Sequence, residues 1–475
     1  MLDSYPLPDK EKVHTTYLEE QRDFERKIVV LDDDPTGVQT VHDIDVYTDW
    51  NEESLAEGMQ ADNNMFFILT NSRSFTVEKT VREHRILAHR AVKAAADAGK
   101  ELLVVSRGDS TLRGHYPLEP EIIKEVLEKE TGRKIHGQIL CPYFLEGGRF
   151  TIDSVHYVKE GEWLVPAGQT EFAKDKTFGY SASHLGAYLE EKSEGRYKRK
   201  DGIYITLSLL RTGDYEKITG MLMQAEDFQP ICVDAIAESD IEMFATCLLR
   251  AVKAGKEFII RSAAAVPKVL GNVSSRPLLS RKELLGGAEG GQPGDARSYG
   301  GIVLVGSHVK KTTVQLEALK TASVSAEFIE FQVSAYFTEG GLNAETRRVA
   351  AEAEKAMEEG KTAVVYTSRD LLAPEGMDKE EKLKLSVSIS DALTGVISGL
   401  HKKPRFLIAK GGITSSDVGT KALKVRKALV LGQVQPGVPV WRTGTESRFP
   451  GLSYIIFPGN VGDADTLKKI VELLV

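Results

Sequence analysis

With 475 residues the chain is too long for one ordinary hydrophobic core, so two domains are expected. Hydrophobic residues make up 41%, charged residues 27%, and the formal net charge is -8, an ordinary globular balance without the basic footprint of a nucleic-acid binder. Cys141, Cys232 and Cys247 are too few and too widely spaced for a disulfide framework or a zinc site, which predicts a reducing cytoplasm. No apolar stretch is long enough to span a bilayer, and the charged N-terminal segment lacks an apolar signal core, so neither a membrane partner nor secretion is expected.

Short β-rich runs at 27–31, 65–69, 101–105, 137–140 and 257–260 predict strands in the first half, with a helical pattern at 78–98. Residues 141–182, with Gly147-Gly148-Arg149 and several aromatics, read as a long irregular connection of the kind that often carries function. The Gly-rich, non-periodic segment 278–301 reads as a linker, leaving domains at 1–277 and 302–475. Strands are predicted again at 302–305, 326–331, 362–366, 405–409 and 453–457, with helices at 343–358 and 463–475. Alternating strands and helices imply an α/β fold: two domains, each a mostly parallel sheet flanked by helices. The apolar runs are continuous, as for strands covered on both faces.

In such sheets ligands bind beyond the carboxyl ends of the strands, and the polar motifs fall there. Asp32-Asp33-Asp34-Pro35-Thr36-Gly37 follows the first strand; three adjacent acids need an arginine, a metal or a hydroxyl-bearing ligand to offset their repulsion. A solvated turn closed by Pro35 and Gly37 is the plainer alternative. Arg73, in Thr70-Asn71-Ser72-Arg73-Ser74, offers a fork for a carboxylate or phosphate, or a surface ion pair. Ser106-Arg107-Gly108-Asp109-Ser110-Thr111-Leu112-Arg113-Gly114 concentrates arginines, an acid, hydroxyls and glycines in one turn. His115, His156 and His184 lie nearby and are given no role. In the second half Gly306-Ser307, Gly411-Gly412-Ile413-Thr414-Ser415-Ser416 and Phe457-Pro458-Gly459-Asn460-Val461-Gly462 each leave a strand and lead to a helix. Thr312 or Thr313, and Asp463, are placed to cap the helices that follow. Together the three turns suggest a nucleotide, although each alone is an ordinary strand-to-helix turn.

Asp32-x-Asp34-x-Thr36 also looks like the nucleophile motif of haloacid-dehalogenase-type phosphatases. That reading lacks the acid expected soon after Gly108-Asp109 and explains nothing after residue 300.

The ordered set DDDPTG, NSRSF, RGDSTLRG, CPYFLEGGRFTIDSVHYV, IIRSAAAVPKVLG, VGSHVKKTTVQL, AKGGITS and VQPGVPVW resembles the four-carbon acid sugar kinase family, from about residue 28 to 470. The resemblance implies a sugar-acid-binding N-terminal domain, a nucleotide-binding C-terminal domain and an active site in the cleft between them. It implies ATP and Mg2+ as cofactors and a small sugar acid such as threonate or erythronate as acceptor; a homo-oligomer is allowed. Carried over, Asp33, Arg73, Ser110 and Arg113 bind substrate, and Asp34 and Asp109 are catalytic. Ser307, Gly411, Gly412, Thr414, Ser415 and Gly459 hold the nucleotide, and Arg73 with Arg113 grips the acid's carboxylate. The chain departs from the family pattern at Pro35 and Val38, at Ile413 where an acid is usual, and in FPGNVG, which lacks the usual lysine. A degenerate, non-catalytic sensor of sugar acid or nucleotide would carry the same losses.

Overall fold

The computed structural model describes residues 2–5, 8–286, 299–307, 309–368, 379–459 and 461–475. Most of the expected linker (287–298), His308 and Asn460 lie outside the described residues. The chain divides into two units, Met1–Ser275 and Arg276–Val475.

The first unit holds β1 (Lys27–Asp32), β2 (Ile44–Tyr47), β3 (Met65–Leu69), β4 (Leu102–Arg107), β5 (Gly137–Cys141), β6 (Arg149–Ile152), β7 (Val155–Glu160), β8 (Trp163–Pro166), β9 (Ile203–Ile205), β10 (Gln229–Val233) and β11 (Phe258–Ser262). Its main sheet runs β2-β3-β1-β4-β11-β5-β10-β9, with every described pairing parallel. Every residue of β1 and β3 is buried, as their unbroken apolar runs require. On one face Val29, Leu31, Phe66, Ile68, Val104 and Ile259 form a core with Leu87, Ala91 and Ala95 of the helix Val77–Asp97. Thr76 starts that helix by accepting the Lys79 amide.

The stretch 141–182 is more regular than expected. β6-β7-β8 form an antiparallel meander. Asp153 and Ser154 both take positive φ (48° and 63°), the backbone a tight primed hairpin turn needs, but Asp-Ser is not the Asn-Gly or Asp-Gly pair that signals one.

The second unit holds β12 (Ile302–Val305), β13 (Ala326–Phe331), β14 (Thr362–Thr367), β15 (Leu407–Lys410), β16 (Lys427–Gln435), β17 (Val438–Thr443) and β18 (Ser453–Phe457). The order is β13-β14-β12-β15-β18-β17-β16; the first five are parallel, and β17 and β16 add an antiparallel hairpin. Residues 276–286, partly assigned to a linker by sequence, pack into this unit. The helix Arg281–Leu285 buries Leu284 and Leu285, which join Leu279, Val303, Val440, Ile455 and Leu474 in one core. The Leu279 amide donates to the Gln433 carbonyl at 2.8 Å.

Candidate functional site

In the first unit the adjacent strands β3, β1, β4 and β11 bring their carboxyl ends together. Asp32 ends β1, Arg107 ends β4, Arg261 lies in β11, and Arg73 sits in the turn after β3. The three aspartates are offset by guanidinium groups. Arg73 donates to both oxygens of Asp33 (Nη2 to Oδ1 at 2.6 Å, Nε to Oδ2 at 3.2 Å), reaches Asp34 Oδ2 at 3.4 Å, and lies 4.0 Å from Asp109 Oδ1. Arg107 Nη1 donates to Asp32 at 3.2 Å. Arg73 is thus committed to ordering the carboxylates, and its fork is filled by Asp33.

The turn after β4 hangs on the same network. Asp109 Oδ2 accepts from Arg113 Nε at 2.7 Å and from the Thr111 hydroxyl. Arg261 Nη1 donates to Glu119 at 2.6 Å and to the Ser106 hydroxyl at 2.9 Å. Glu119 accepts a further hydrogen bond from Ser72. The glycines of this turn make room for Arg261: a Cβ on Gly108 would overlap its guanidinium, and one on Gly114 would lie 2.7 Å from Nη2. Gly114 also takes φ +124°, open only to glycine without strain. Ser110 is buried, and its carbonyl accepts from His156 Nε2 at 2.8 Å. The three histidines are structural: His156 bonds Ser110 and Thr151, His115 bonds the Phe75 carbonyl, and His184 caps the helix Leu185–Lys192.

The carboxyls differ in proton affinity. Burial, reinforced by Asp33 and Asp34 and opposed by Arg107, pushes Asp32 up to about 7. Burial acts on Asp34 too, but Arg73, the Thr36 hydrogen bonds and Arg107 outweigh it and hold Asp34 below the usual carboxylate range. Asp109 is held well below that range because Arg113 and Arg73 outweigh its burial.

In the second unit the carboxyl ends of β12, β15 and β18 carry the three expected turns, and these touch. A Cβ on Gly306 would overlap Thr414 Oγ1; one on Gly411, which takes φ +125°, would lie 3.2 Å from Ser307 Cβ; one on Gly459 would lie 3.6 Å from Ser307 Oγ. The Gly411 amide donates to the Phe457 carbonyl at 2.9 Å. Ser415 Oγ is spent on the Ala409 carbonyl at 2.8 Å, so this residue shapes the turn. Gly412 opens the helix Gly412–Asp417, and Ile413 is 71% exposed on it. Neither threonine caps the helix Lys310–Lys320, whose N-cap position is Val309; Thr312 instead donates to Ser307 Oγ at 3.3 Å. Asp465 precedes the helix Thr466–Leu474, while Asp463 accepts from Thr466 Oγ1 at 2.7 Å.

Lys410, at the end of β15, is fully buried; its Nζ donates to the Pro458 carbonyl at 2.7 Å and lies 3.7 Å from the centre of the Phe457 ring. FPGNVG lacks a lysine of its own, yet a lysine from the neighbouring strand holds its backbone. Burial pulls Lys410 down to about 7, with Lys311 adding to the effect.

Sequence alone assigns no role to Glu119, Arg107, Arg261 or Lys410. Arg107, Arg261 and Lys410 lie inside motif segments, but Glu119 reads only as an acid in the first turn of the helix Leu118–Thr131. Among the described residues no group of three or more His, Cys, Asp or Glu is arranged to hold a metal ion, and no helix is long and apolar enough to cross a membrane.

Comparison with known families agrees with this division. Residues 28–270 match the sugar-binding N-terminal domain and residues 302–467 the nucleotide-binding C-terminal domain. The chain therefore belongs to the family with the four-carbon acid sugar kinase architecture. It is similar in fold to a Salmonella typhimurium LT2 protein described as a tRNA synthase candidate, at 15% identity and TM-score 0.66, covering 93% of this chain and 98% of that one. It is also similar to the Haemophilus influenzae protein HI1011, of a family designated DUF1537, at 17% identity and TM-score 0.60, covering 94% and 100%. No curated protein matches the chain.

Proposed function

We propose that the protein is an ATP-dependent kinase that phosphorylates a hydroxyl of a small sugar acid of the threonate or erythronate type. The observation that carries this reading is the pairing, in one chain, of a sugar-binding domain whose strand ends present arginine-ordered carboxylates with a nucleotide-binding domain whose three strand-end turns touch. The attacking hydroxyl oxygen bonds to the γ-phosphorus, the bond to ADP breaks, and the hydroxyl proton passes to a carboxylate. Asp34 suits that role: its Oδ1 is held by the Thr36 amide and hydroxyl, while its Oδ2 has one long contact, at 3.4 Å, from Arg73. Asp109, with Oδ2 committed to Arg113, would order a neighbouring hydroxyl through Oδ1. A strong base is not required, because phosphoryl transfer depends mainly on positioning and charge stabilisation. Mg2+ would come with ATP, held by phosphates, water and at most one or two carboxylates. In-line transfer requires the bound acid and the γ-phosphate to meet during turnover.

Arg73 and Arg107 offset the aspartates, and Asp32, the nucleophile of the phosphatase reading, is 2% exposed and bonded to Arg107. That carboxylate is poorly placed to attack a phosphoester, so the phosphatase reading is set aside.

The test is ADP formation with Mg-ATP across both enantiomers of threonate and erythronate and their 3-oxo forms. A rate well above the no-acceptor rate supports the kinase, and Asp34→Asn should then lower turnover on the order of 10²- to 10⁴-fold. Binding of acid and ATP without turnover would replace it with a sensor.

A further inference from the structure

Arg149 stands apart from the other arginines of the first unit's site. Arg73 is paired with Asp33 and Asp34, Arg107 with Asp32, Arg113 with Asp109, and Arg261 with Glu119. No hydrogen bond or ion pair is found for the Arg149 side chain among the described residues, and its Nε is out of contact with water. Arg149 is half-buried, and a guanidinium has five N–H donors in a planar fork that suits a carboxylate or phosphate. Here a second cation lies close by. The Arg113 and Arg149 guanidinium carbons sit 5.1 and 5.6 Å from the centre of the same Phe172 ring. Arg113 has Asp109 at 2.7 Å and Asp175 at 3.7 Å to balance it; Arg149 has neither. Burial works against the Arg149 charge, Asp109 supports it, Arg113 opposes it, and Glu160 adds weaker support.

The chain builds this position deliberately. Arg149 opens β6, whose pairing with β7 fixes its backbone. Gly147 leaves room beside it: a Cβ there would overlap the Phe144 ring and lie 3.2 Å from Arg149 Nη1. The Phe172 ring attracts the cation without neutralising it. The planar fork suits an anion with two oxygens in one plane.

We propose that Arg149, over Phe172 and beside Arg113, binds the carboxylate of the acceptor acid and so makes the first unit selective for sugar acids over neutral polyols. The proposal rests on the sugar-acid reading above and moves the carboxylate contact from Arg73 to Arg149. A carboxylate on the Arg149 fork would supply charge-assisted hydrogen bonds to donors for which no protein partner is found among the described residues. It would also place the acid's hydroxyl carbons beside Asp109, which Arg113 links directly to this corner.

The test is calorimetric titration of the full chain with both enantiomers of threonate and erythronate, with threitol and erythritol as uncharged probes, and with Mg-ATP. Wild type should bind at least one acid and bind its tetritol much more weakly. Arg149→Met should weaken that acid on the order of 10- to 100-fold, leave the tetritol and Mg-ATP unchanged, and so erase the preference for acid. Arg149→Lys should recover only part of the loss, because an ammonium lacks the planar fork. Unchanged acid affinity in Arg149→Met, or equal losses for acid and tetritol, would overturn the proposal. A loss confined to Mg-ATP would assign Arg149 to a phosphate and also overturn it. A wild type that binds none of the acids would overturn both this proposal and the sugar-acid reading. Acid binding that depends on Arg149 without ADP formation would sustain this proposal while the kinase reading fails.

Discussion

Arg73 decides how acids crowded at one strand end are tolerated. It donates to both oxygens of Asp33, which is 2% exposed, and touches Asp34. Replacing it removes a cation and leaves buried carboxylates uncompensated, which costs more than the net worth of the intact pair. Arg73→Met should destabilise the protein by about 3–5 kcal/mol, seen as a lower urea midpoint. A variant as stable as wild type would show that the aspartates are balanced some other way. Lys410 gives a prediction in pH. Its proton affinity falls to about 7 in the folded protein, from an ordinary lysine value of 10.5. Between those two values the unfolded chain holds a proton that the native protein has released, so this group makes stability rise with pH there and leaves its full burial cost below about 7. Lys410→Met removes the titration. The stability of wild type minus that of the variant should therefore increase from pH 7 to pH 9, by up to about 1 kcal/mol per pH unit. A flat difference in urea midpoints would mean that Lys410 stays charged in the folded protein.

Elements were legible where burial alone dictates them. β1, β3, β12 and β18 are buried along their whole length, and their unbroken apolar runs follow because both faces are covered. The strands without a clear signal have physical reasons for lacking one. β9 has three residues, and β10 carries Pro230 between two parallel neighbours, where a missing donor normally argues against a strand. The site shows the same split. Polar turns at strand ends mark where chemistry sits, but the choice of partner depends on strand order, which no local pattern encodes. Arg261 meets Glu119 only because β11 lies beside β4. Glycines in a strand-end turn are suited to close ligand approach, but here Gly108 and Gly114 face Arg261. Gly114→Ala should accordingly cost far more stability than Gly99→Ala. Gly99 also has positive φ, at +64°, but open space around it, so its cost should be about 1–2 kcal/mol of backbone strain. Gly114→Ala adds a clash with Arg261 to a φ outside the left-handed well, and should lower acid affinity as well as the urea midpoint. Equal, small losses in the two variants would show that Arg261 moves aside freely.

At the scale of the whole molecule, each unit carries its own core. The cluster built on Val29, Phe66 and Leu87 uses residues of the first unit alone, and the cluster built on Val303, Ile455 and Leu474 uses residues of the second. Cores closed in this way imply that fragments 1–275 and 276–475 fold separately. The position of the cut matters. The Gly-rich composition of 278–301 invites a cut at 302, but Leu279, Leu284 and Leu285 lie in the second core. Ser453 Oγ donates to the Leu284 carbonyl, and Arg442 Nη2 donates to the Glu283 carbonyl at 2.7 Å. A fragment starting at 302 loses those leucines and uncovers the apolar surface they pack against. Truncating even one buried leucine to alanine costs about 2–5 kcal/mol, so deleting this helix should exceed the stability margin of a small domain. Fragment 276–475 should therefore show a cooperative urea transition and fragment 302–475 a broad or absent one. If the shorter fragment unfolds at the same midpoint as the longer, the leucines are a dispensable cover and the second unit begins at β12, as composition alone implies.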